Sequence, residues 1–166
     1  MNTTRIVTRI AALSLAVLLP WAALALDQRD AEPLTNFPTS QLQIASGGTL
    51  HRFRVWIADT PMRRSQGLMF VRELEADRGM LFVSYPARFV YFWMQNTYVS
   101  LDLLFVAPDG RIVGMIESAI PLSTDWMESP APVAGVLEVP GGTAGRLGIK
   151  VGDRVLHPSF GRNAAP

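Results

Sequence analysis

The sequence predicts a mainly β fold, a compact barrel or sandwich of short strands with two short helices. Short runs of apolar or alternating residues recur at close spacing, and turn-forming residues separate them. Many short strands with only brief helical segments are typical of small barrels and sandwiches. The sequence has no internal repeat, so we expect one domain.

The first 25 residues have the features of a secretory signal peptide. Arg5 and Arg9 precede an apolar run, and Ala23 to Ala25 supply the small residues of a cleavage box. The run contains Pro20 and is shorter than the roughly 20 residues that a membrane-spanning helix needs. We therefore expect cleavage after residue 25, a periplasmic or secreted protein, and no stable membrane insertion.

The rest of the chain divides into three parts. A polar, proline-bearing segment over residues 26–41 is interpreted as a mobile tether, and residues 161–166 as a disordered tail. The domain between them is expected over residues 42–160. Its strands are predicted near residues 42–44, 52–57, 79–83, 90–94, 101–106, 111–116, 133–139 and 151–156.

Turn chemistry joins several of these strands. Gly47-Gly48 predicts a hairpin between the first two, and Pro108-Asp109-Gly110 predicts another between residues 101–106 and 111–116. The runs at 79–83 and 90–94 lack clean alternation, so we expect both of their faces to be covered.

Two short helices complete the prediction. Thr60 can cap the free amides of a helix that begins at Pro61 and runs to about Met69. Thr143 can cap a second, very short helix that ends at Gly148.

Charge and cysteine content exclude several classes of function. Cleavage would remove two arginines and leave 13 basic and 14 acidic residues, which gives no electrostatic footprint for nucleic acid. The chain has no cysteine, so disulfides, thiolate nucleophiles and zinc–thiolate sites are excluded. We expect a monomer without cofactors.

Hydrolytic and metal chemistry have little support. The only histidines, His51 and His157, lie near the ends of the domain, and no serine lies in a nucleophile-elbow pattern. Six methionines remain after processing but are not clustered as a copper site requires. We interpret Met69, Met80 and Met94 as core residues, and no metal site is predicted.

Residues 90–97 are the first candidate for a binding site. If they are extended, Tyr91, Trp93 and Thr97 share one face, where the aromatic rings could form the wall of a small pocket. Asn96 would add a polar contact. The alternative is that both faces are simply buried in the core.

Asp102 lies among large apolar residues and faces the same side of its strand as Leu104 and Val106. Its pKa is either raised by desolvation, as a general acid requires, or the carboxylate is held ionised by an arginine or backbone amides. A structural alternative is that Asp102 fixes the turn at Asn96-Thr97.

Arg64 and Glu138 are the remaining charged candidates. Arg64 could clamp Asp102, Glu138 or an anionic ligand, or it could form a structural ion pair. Glu138 alternates with Leu137 and Val139 and could instead face solvent.

The order of motifs resembles the family called domain of unknown function 192 (DUF192), over about residues 50–157. That family implies a small, mainly β domain, often with a signal peptide and with no agreed activity. One departure is Ser100, since the family usually has proline before the Leu-Asp pair; serine would loosen the entry into that strand. The motifs are Thr60-Pro61, Arg64, Gly67-Leu68-Met69, Gly79-Met80-Leu81-Phe82, Phe92-Trp93-Met94, Asn96-Thr97, Leu101-Asp102, Val136-Leu137-Glu138, Gly148-Ile149 and Gly152-Asp153.

Three functions are compatible with these residues. The first is non-catalytic binding of a small molecule or a protein partner. The second is a hydrolase-like, acid–base enzyme with Asp102 and Glu138 as its paired carboxylates. The third is a purely structural accessory role. The binding residues predicted for the first are Arg64, Tyr91, Trp93, Asn96, Thr97 and Asp102.

Overall fold

A computed structural model describes residues 27–161. The predicted signal peptide over residues 1–25 lies outside the described residues, as does the predicted tail apart from Gly161. Among the residues described, no helix is long and apolar enough to span a membrane.

Seven strands form one curled sheet, a half-barrel, and the mainly β prediction is confirmed. The sheet order is β6-β5-β8-β3-β2-β1-β9, and β4 pairs with β7 in a second small sheet. The strands are β1 (Thr39–Ser46), β2 (Thr49–Ala58), β3 (Arg78–Arg88), β4 (Tyr91–Phe92), β5 (Leu101–Val106), β6 (Ile112–Ala119), β7 (Met127–Glu128), β8 (Val133–Pro140) and β9 (Arg154–Leu156). The helices are α1 (Pro61–Gln66) and α2 (Thr143–Leu147), and short 3-10 turns occupy Gln28–Asp30 and Leu34–Asn36.

The last strand brings the edges of the sheet together. β9 pairs with β1, and the backbone of Arg154 also forms an isolated antiparallel β-bridge with the backbone of Arg111, beside the β5–β6 turn. The amide of Val155 donates to the carbonyl of Gly110 at 2.8 Å. The predicted turns at Gly47-Gly48 and Pro108-Asp109-Gly110 both form hairpins.

Apolar side chains cover both faces of the central strands. On one face Leu81, Leu104 and Leu137 belong to one core cluster, and on the other Met80 and Leu103 belong to a second. Every residue of β5 is buried, because the strand lies inside the sheet and both of its faces are covered.

The N-terminal segment corrects the prediction of a mobile tether over residues 26–41. The side-chain amide of Gln66 binds the backbone of Glu32 twice, accepting from its N–H at 2.7 Å and donating to its carbonyl at 2.8 Å. Glu32 also pairs with Arg63, and Phe37 is buried in the core. β1 then begins at Thr39, so the ordered domain starts earlier than predicted.

Both helices form, with corrected ends. Thr60 caps α1 by accepting from the amide of Arg63, as predicted, but the helix ends at Gln66 because Gly67 adopts a left-handed φ of 51°. In α2, Thr143 is the first helical residue and not the cap. The cap position is Gly142, whose φ of 80° suits glycine.

The predicted strand over residues 90–94 is reduced to the two residues of β4. The amide of Thr97 donates to the carbonyl of Met94, and Asn96 has a left-handed φ of 57°. This turn ends the extended conformation that the shared-face argument required.

Gly79 offers a test of the packing between β3 and β8. A Cβ at Gly79 would lie directly against the backbone carbonyl of Glu138 and 3.2 Å from Val139 Cγ1. We expect Gly79→Ala to lower the free energy of unfolding by about 1–3 kcal/mol, because backbone cannot yield as a flexible side chain can. Urea denaturation measures the change.

Gly145→Ala is the matched control. Gly145 lies within α2, and a Cβ there would meet only Glu117 Oε2 at 3.7 Å. Alanine should be neutral or stabilising by up to about 1 kcal/mol because it favours the helix. If Gly79→Ala and Gly145→Ala lost equal amounts of stability, the close approach of the Glu138 backbone to Gly79 would be contradicted.

Candidate functional site

A groove of about 720 Å³ opens on one face of the sheet, between α1 and the segment that contains β4. This volume lies within the range of small-molecule sites. Its lining residues are Pro61, Arg64, Ser65, Gln66, Gly67, Leu68, Met69, Phe82, Ser84, Arg88, Phe89, Val90, Tyr91, Phe92, Trp93, Thr97, Trp126, Val136 and Glu138.

The floor of the groove comes from the pairing of β3 with β8. Phe82 lies opposite Val136 in this register, and Glu138 lies two residues along β8 from Val136. Side chains two residues apart on a strand point to the same face, so Ser84, Phe82, Val136 and Glu138 form one surface. Irregular segments supply most of the walls.

Aromatic rings form much of the wall. Trp93 stacks on Trp126 with centroids 4.8 Å apart and planes within 11°. Phe92 meets Phe82 edge to face at 5.0 Å. The hydroxyl of Tyr91 donates to a carboxylate oxygen of Glu128 at 2.7 Å, and this bond raises the Tyr91 pKa above its usual range.

Glu138 is the chemically distinctive group of the floor. Its exposed fraction is only 5%, its oxygens open onto the groove, and within residues 27–161 its carboxyl group has no hydrogen bond or ion pair. Burial raises the pKa of Glu138 to about 8, since desolvation disfavours the charged form. The carboxyl group is therefore mostly protonated at neutral pH and can donate a hydrogen bond into the groove.

Two arginines add positive charge to the lining. Arg64, half-buried on α1, donates from Nη1 to the carbonyl of Asp59 at 2.9 Å, while Arg88 is exposed at the end of β3. The structural ion pair considered for Arg64 is formed instead by its neighbour Arg63, which pairs with Glu32 and Asp59. Within residues 27–161, neither Arg64 nor Arg88 takes part in an ion pair.

Asp102 lies outside the groove and is fully buried. Its Oδ1 accepts from the amides of Ser118 at 2.7 Å and Gly142 at 2.9 Å, and its Oδ2 accepts from the amide of Ala144 at 2.7 Å. Of the partners considered for the Asp102 carboxylate, the structure shows backbone amides and not an arginine. Asp102 ties β6 and the start of α2 to β5, and the idea that it fixes the Asn96-Thr97 turn is wrong.

The two carboxyl groups proposed as an acid–base pair lie on opposite faces of the sheet. Asp102 is opposite Val139 in the β5–β8 register, and Glu138 is opposite Leu103. Adjacent positions on a strand face opposite ways, so the two side chains cannot act on one substrate. The paired-carboxylate mechanism is therefore wrong.

The groove brings together four of the six predicted binding residues: Arg64, Tyr91, Trp93 and Thr97. Asp102 does not line it. Asn96 does not line it either and lies in the turn, where its carbonyl accepts from the amide of Phe70 at 2.8 Å.

Sequence reasoning missed several lining residues. Trp126 and Arg88 lie in segments that gave no pattern to connect them with the groove. Ser84 could have been found, because it continues the alternation of Met80 and Phe82 along β3. Of the methionines interpreted as core, Met80 and Met94 are buried, whereas Met69 lines the groove.

The chain matches the model of a known protein family. The model for DUF192, described as "Uncharacterized ACR", matches residues 42–157, which includes every strand of the large sheet except the first residues of β1. The chain belongs to the DUF192 family. The resemblance found in its motifs is thereby confirmed.

Two solved structures resemble this DUF192 domain. One is a Sinorhizobium meliloti protein described as a candidate transcription regulator, with 42% identity, a TM-score of 0.70, and coverage of 72% of this chain and 93% of that one. The other is a protein of unknown function from Novosphingobium aromaticivorans, with 35% identity, a TM-score of 0.73, and coverage of 76% and 90%. The comparison with curated proteins finds no match.

Asp102 should be essential to the stability of the DUF192 domain. Asp102→Ala removes the acceptor of three amides, and because the buried amide of Ala144 alone costs about 1–3 kcal/mol, we expect a total loss of at least about 2 kcal/mol. Asp102→Asn retains one acceptor oxygen and should lose less. Urea denaturation gives both values, and Asp30→Ala, at an exposed position, is the control.

Whereas Asp102 stabilises the folded domain, Glu138 should lower the free energy of unfolding near neutral pH, because its burial disfavours the charged form. Between the usual carboxyl pKa of 4.5 and the folded value of about 8, the unfolded chain has released its proton while the folded chain keeps it. Stability is therefore lost as pH rises towards 8, by up to about 1.4 kcal/mol per unit. Glu138→Gln should remove this slope and stabilise the protein at pH 8.

The measurement is urea denaturation at intervals between pH 7 and 9. In this range His157, whose pKa is lowered by burial, is neutral in the folded state and largely neutral in the unfolded one. Glu117→Gln, at an exposed position on β6, is the matched control and should keep the wild-type slope. Parallel profiles for Glu138→Gln and wild type would contradict a buried, protonated Glu138.

Proposed function

We propose that this DUF192 protein is exported and binds a small molecule in the groove without carrying out chemistry on it. The observation that carries the proposal is the carboxyl group of Glu138, which is buried at the groove floor and unpartnered among the described residues. Because its oxygens open onto the groove and have no protein partner, the carboxyl group is free to exchange hydrogen bonds with whatever molecule occupies the groove.

The position of Glu138 makes a purely structural role a poor explanation. Its neighbours across the sheet are Met80 and Leu103, both fully buried. A leucine at 138 would extend this apolar surface at no desolvation cost. The carboxyl group therefore lowers stability, as groups retained for binding commonly do.

The lining also favours binding over catalysis. With Asp102 on the opposite face, Glu138 is the only carboxyl group among the lining residues. His51 and His157 do not line the groove. A general acid needs a base, nucleophile or second acid within reach of the same substrate, and the described lining offers none of the usual sets.

A structural accessory role predicts no cavity and full internal pairing of Arg64 and Asp102. Asp102 meets that expectation through its three amide bonds. The groove and the unpartnered Glu138 do not, and they support binding as the better proposal.

Export is proposed from the signal-peptide features of residues 1–25. The description of the Sinorhizobium meliloti protein as a candidate transcription regulator raises DNA as a partner. DNA is a poor proposal for this chain, because the 13 basic and 14 acidic residues that remain after cleavage provide little of the phosphate attraction on which DNA binding depends.

The test is thermal denaturation of the purified protein with a library of sugars, organic anions, amines and peptides. A ligand at 100 times its dissociation constant should stabilise the fold by about 2.7 kcal/mol and raise the Tm by several degrees. Trp126→Ala removes an exposed wall ring and should reduce the shift. Leu50→Ala, an exposed apolar residue outside the groove, is the control and should not.

Two outcomes would count against groove binding. The first is the absence of any Tm shift across the library at millimolar concentrations. The second is a shift that survives in Trp126→Ala and in Glu138→Leu alike, which would place the ligand elsewhere.

A further inference from the structure

Resting on the proposed binding function, we infer that the groove selects a small organic anion with a flat apolar body. Its negative group would lie against Arg64 and Arg88, its body against the aromatic wall, and its far end would accept a hydrogen bond from Glu138. Three features of the lining support this choice: the balance of charge, the state of Glu138 and the shape of the wall.

The charge of the lining is positive. The ionisable residues that line the groove are Arg64 on α1, Arg88 at the end of β3, Tyr91 on β4 and Glu138 on β8. The first two are cations without ion pairs in the described chain. By contrast, Arg63, next to Arg64, is neutralised by two carboxylates. An anion entering the groove gains from the uncompensated charge, and a cation loses.

Glu138 does not cancel this charge near neutral pH. It lies opposite Met80 and Leu103 and on the same surface as Phe82, where ionisation would leave a buried carboxylate without an ion-pair partner among residues 27–161. Burial raises its pKa to about 8, so the group is mostly neutral at pH 7. A protonated carboxyl group is a hydrogen-bond donor, which suits a ligand acceptor such as a carbonyl or hydroxyl oxygen.

The wall suits a flat apolar body. The rings of Phe82 and Phe92 form one edge-to-face pair, and those of Trp93 and Trp126 form a stacked pair. Such rings favour flat partners by stacking. The faces of these rings could also attract a cation, and cation binding is the competing hypothesis. A cation would, however, be repelled by Arg64 and Arg88 and would find Glu138 mostly neutral.

Three probes with one body and different charge test the inference: 3-phenylpropionate, 3-phenylpropanol and 3-phenylpropylamine. Dissociation constants are measured on the purified protein at pH 7 by chemical-shift titration. We expect the anion to bind at least about tenfold more tightly than the alcohol, and the amine to bind most weakly. Arg64→Ala and Arg88→Ala should each weaken anion binding severalfold and leave the alcohol unchanged.

Arg52→Ala is the matched control, since Arg52 is an exposed arginine of β2 outside the groove. It should alter none of the three constants. A preference for the amine would overturn the inference and make Glu138 the anion of a cation site. Equal binding of all three would overturn it by showing that charge selects nothing. If none of the probes and no library compound binds, the proposed binding function itself fails.

A pH series adds a second readout. Anion binding should weaken as pH rises from 7 to 9, because Glu138 loses the proton that it donates and becomes negative. Tyr91 does not titrate in this range, because its hydrogen bond to the carboxylate of Glu128 raises its pKa above the usual 10. Glu138→Gln keeps a donor without titrating, so its binding should not vary with pH. An equal pH dependence in that variant would overturn the role of Glu138.

Discussion

The carboxylate of Asp102 is the interaction on which the rest of the structure depends. It is fully buried and binds amides from residues 16, 40 and 42 positions away. Because a buried charge without partners is prohibitive, the end of β6 and the start of α2 must both be in place over β5 before the fold is stable. The amide of Gly141 donates to the carbonyl of Ser100 at 2.8 Å beside it, which fixes how β8 enters α2.

This anchor also determines where Glu138 points. With β8 held at its end, Glu138 lies opposite Leu103 and faces the groove, while Asp102 faces the other core. A shift of one residue would turn Glu138 away from the groove and Val139 towards it. Asp102, whose carboxylate accepts three amide bonds, therefore helps to hold Glu138 in position at the groove floor. The stability that Asp102 supplies offsets the stability that the buried Glu138 costs.

The parts of the fold that the sequence predicted well are those with local causes. The turns at Gly47-Gly48 and Pro108-Asp109-Gly110 are decided by their own residues, and so is the cap at Thr60. The packing of Glu32 against Gln66 joins residues 34 positions apart, and no local pattern indicates it. The strand predicted near Tyr91 failed because Asn96 adopts a left-handed conformation that asparagine allows but does not require.

The site was harder to predict than the fold, for a related reason. Asp102 and Glu138 each lie in an apolar strand, so composition alone cannot separate a satisfied acid from an unsatisfied one. Only the strand register shows that they face opposite ways. Ser100 shows the same limit: its hydroxyl donates to the carbonyl of Ala119 at 3.1 Å, a contact that a family pattern with proline could not suggest.

The groove combines a firmly held floor with more lightly held walls. Its floor is part of the antiparallel β3–β8 pair, whereas the wall around Tyr91 rests on the two-residue sheet of β4 and β7. Two bonds between Val90 and Ser129 reinforce that sheet, one through the buried Ser129 hydroxyl. A floor fixed by long strands keeps the Glu138 carboxyl group in one place, while walls with few bonds can adjust to a ligand. Function in small β domains is often divided in this way, with a rigid sheet presenting one polar group and loops shaping the space around it.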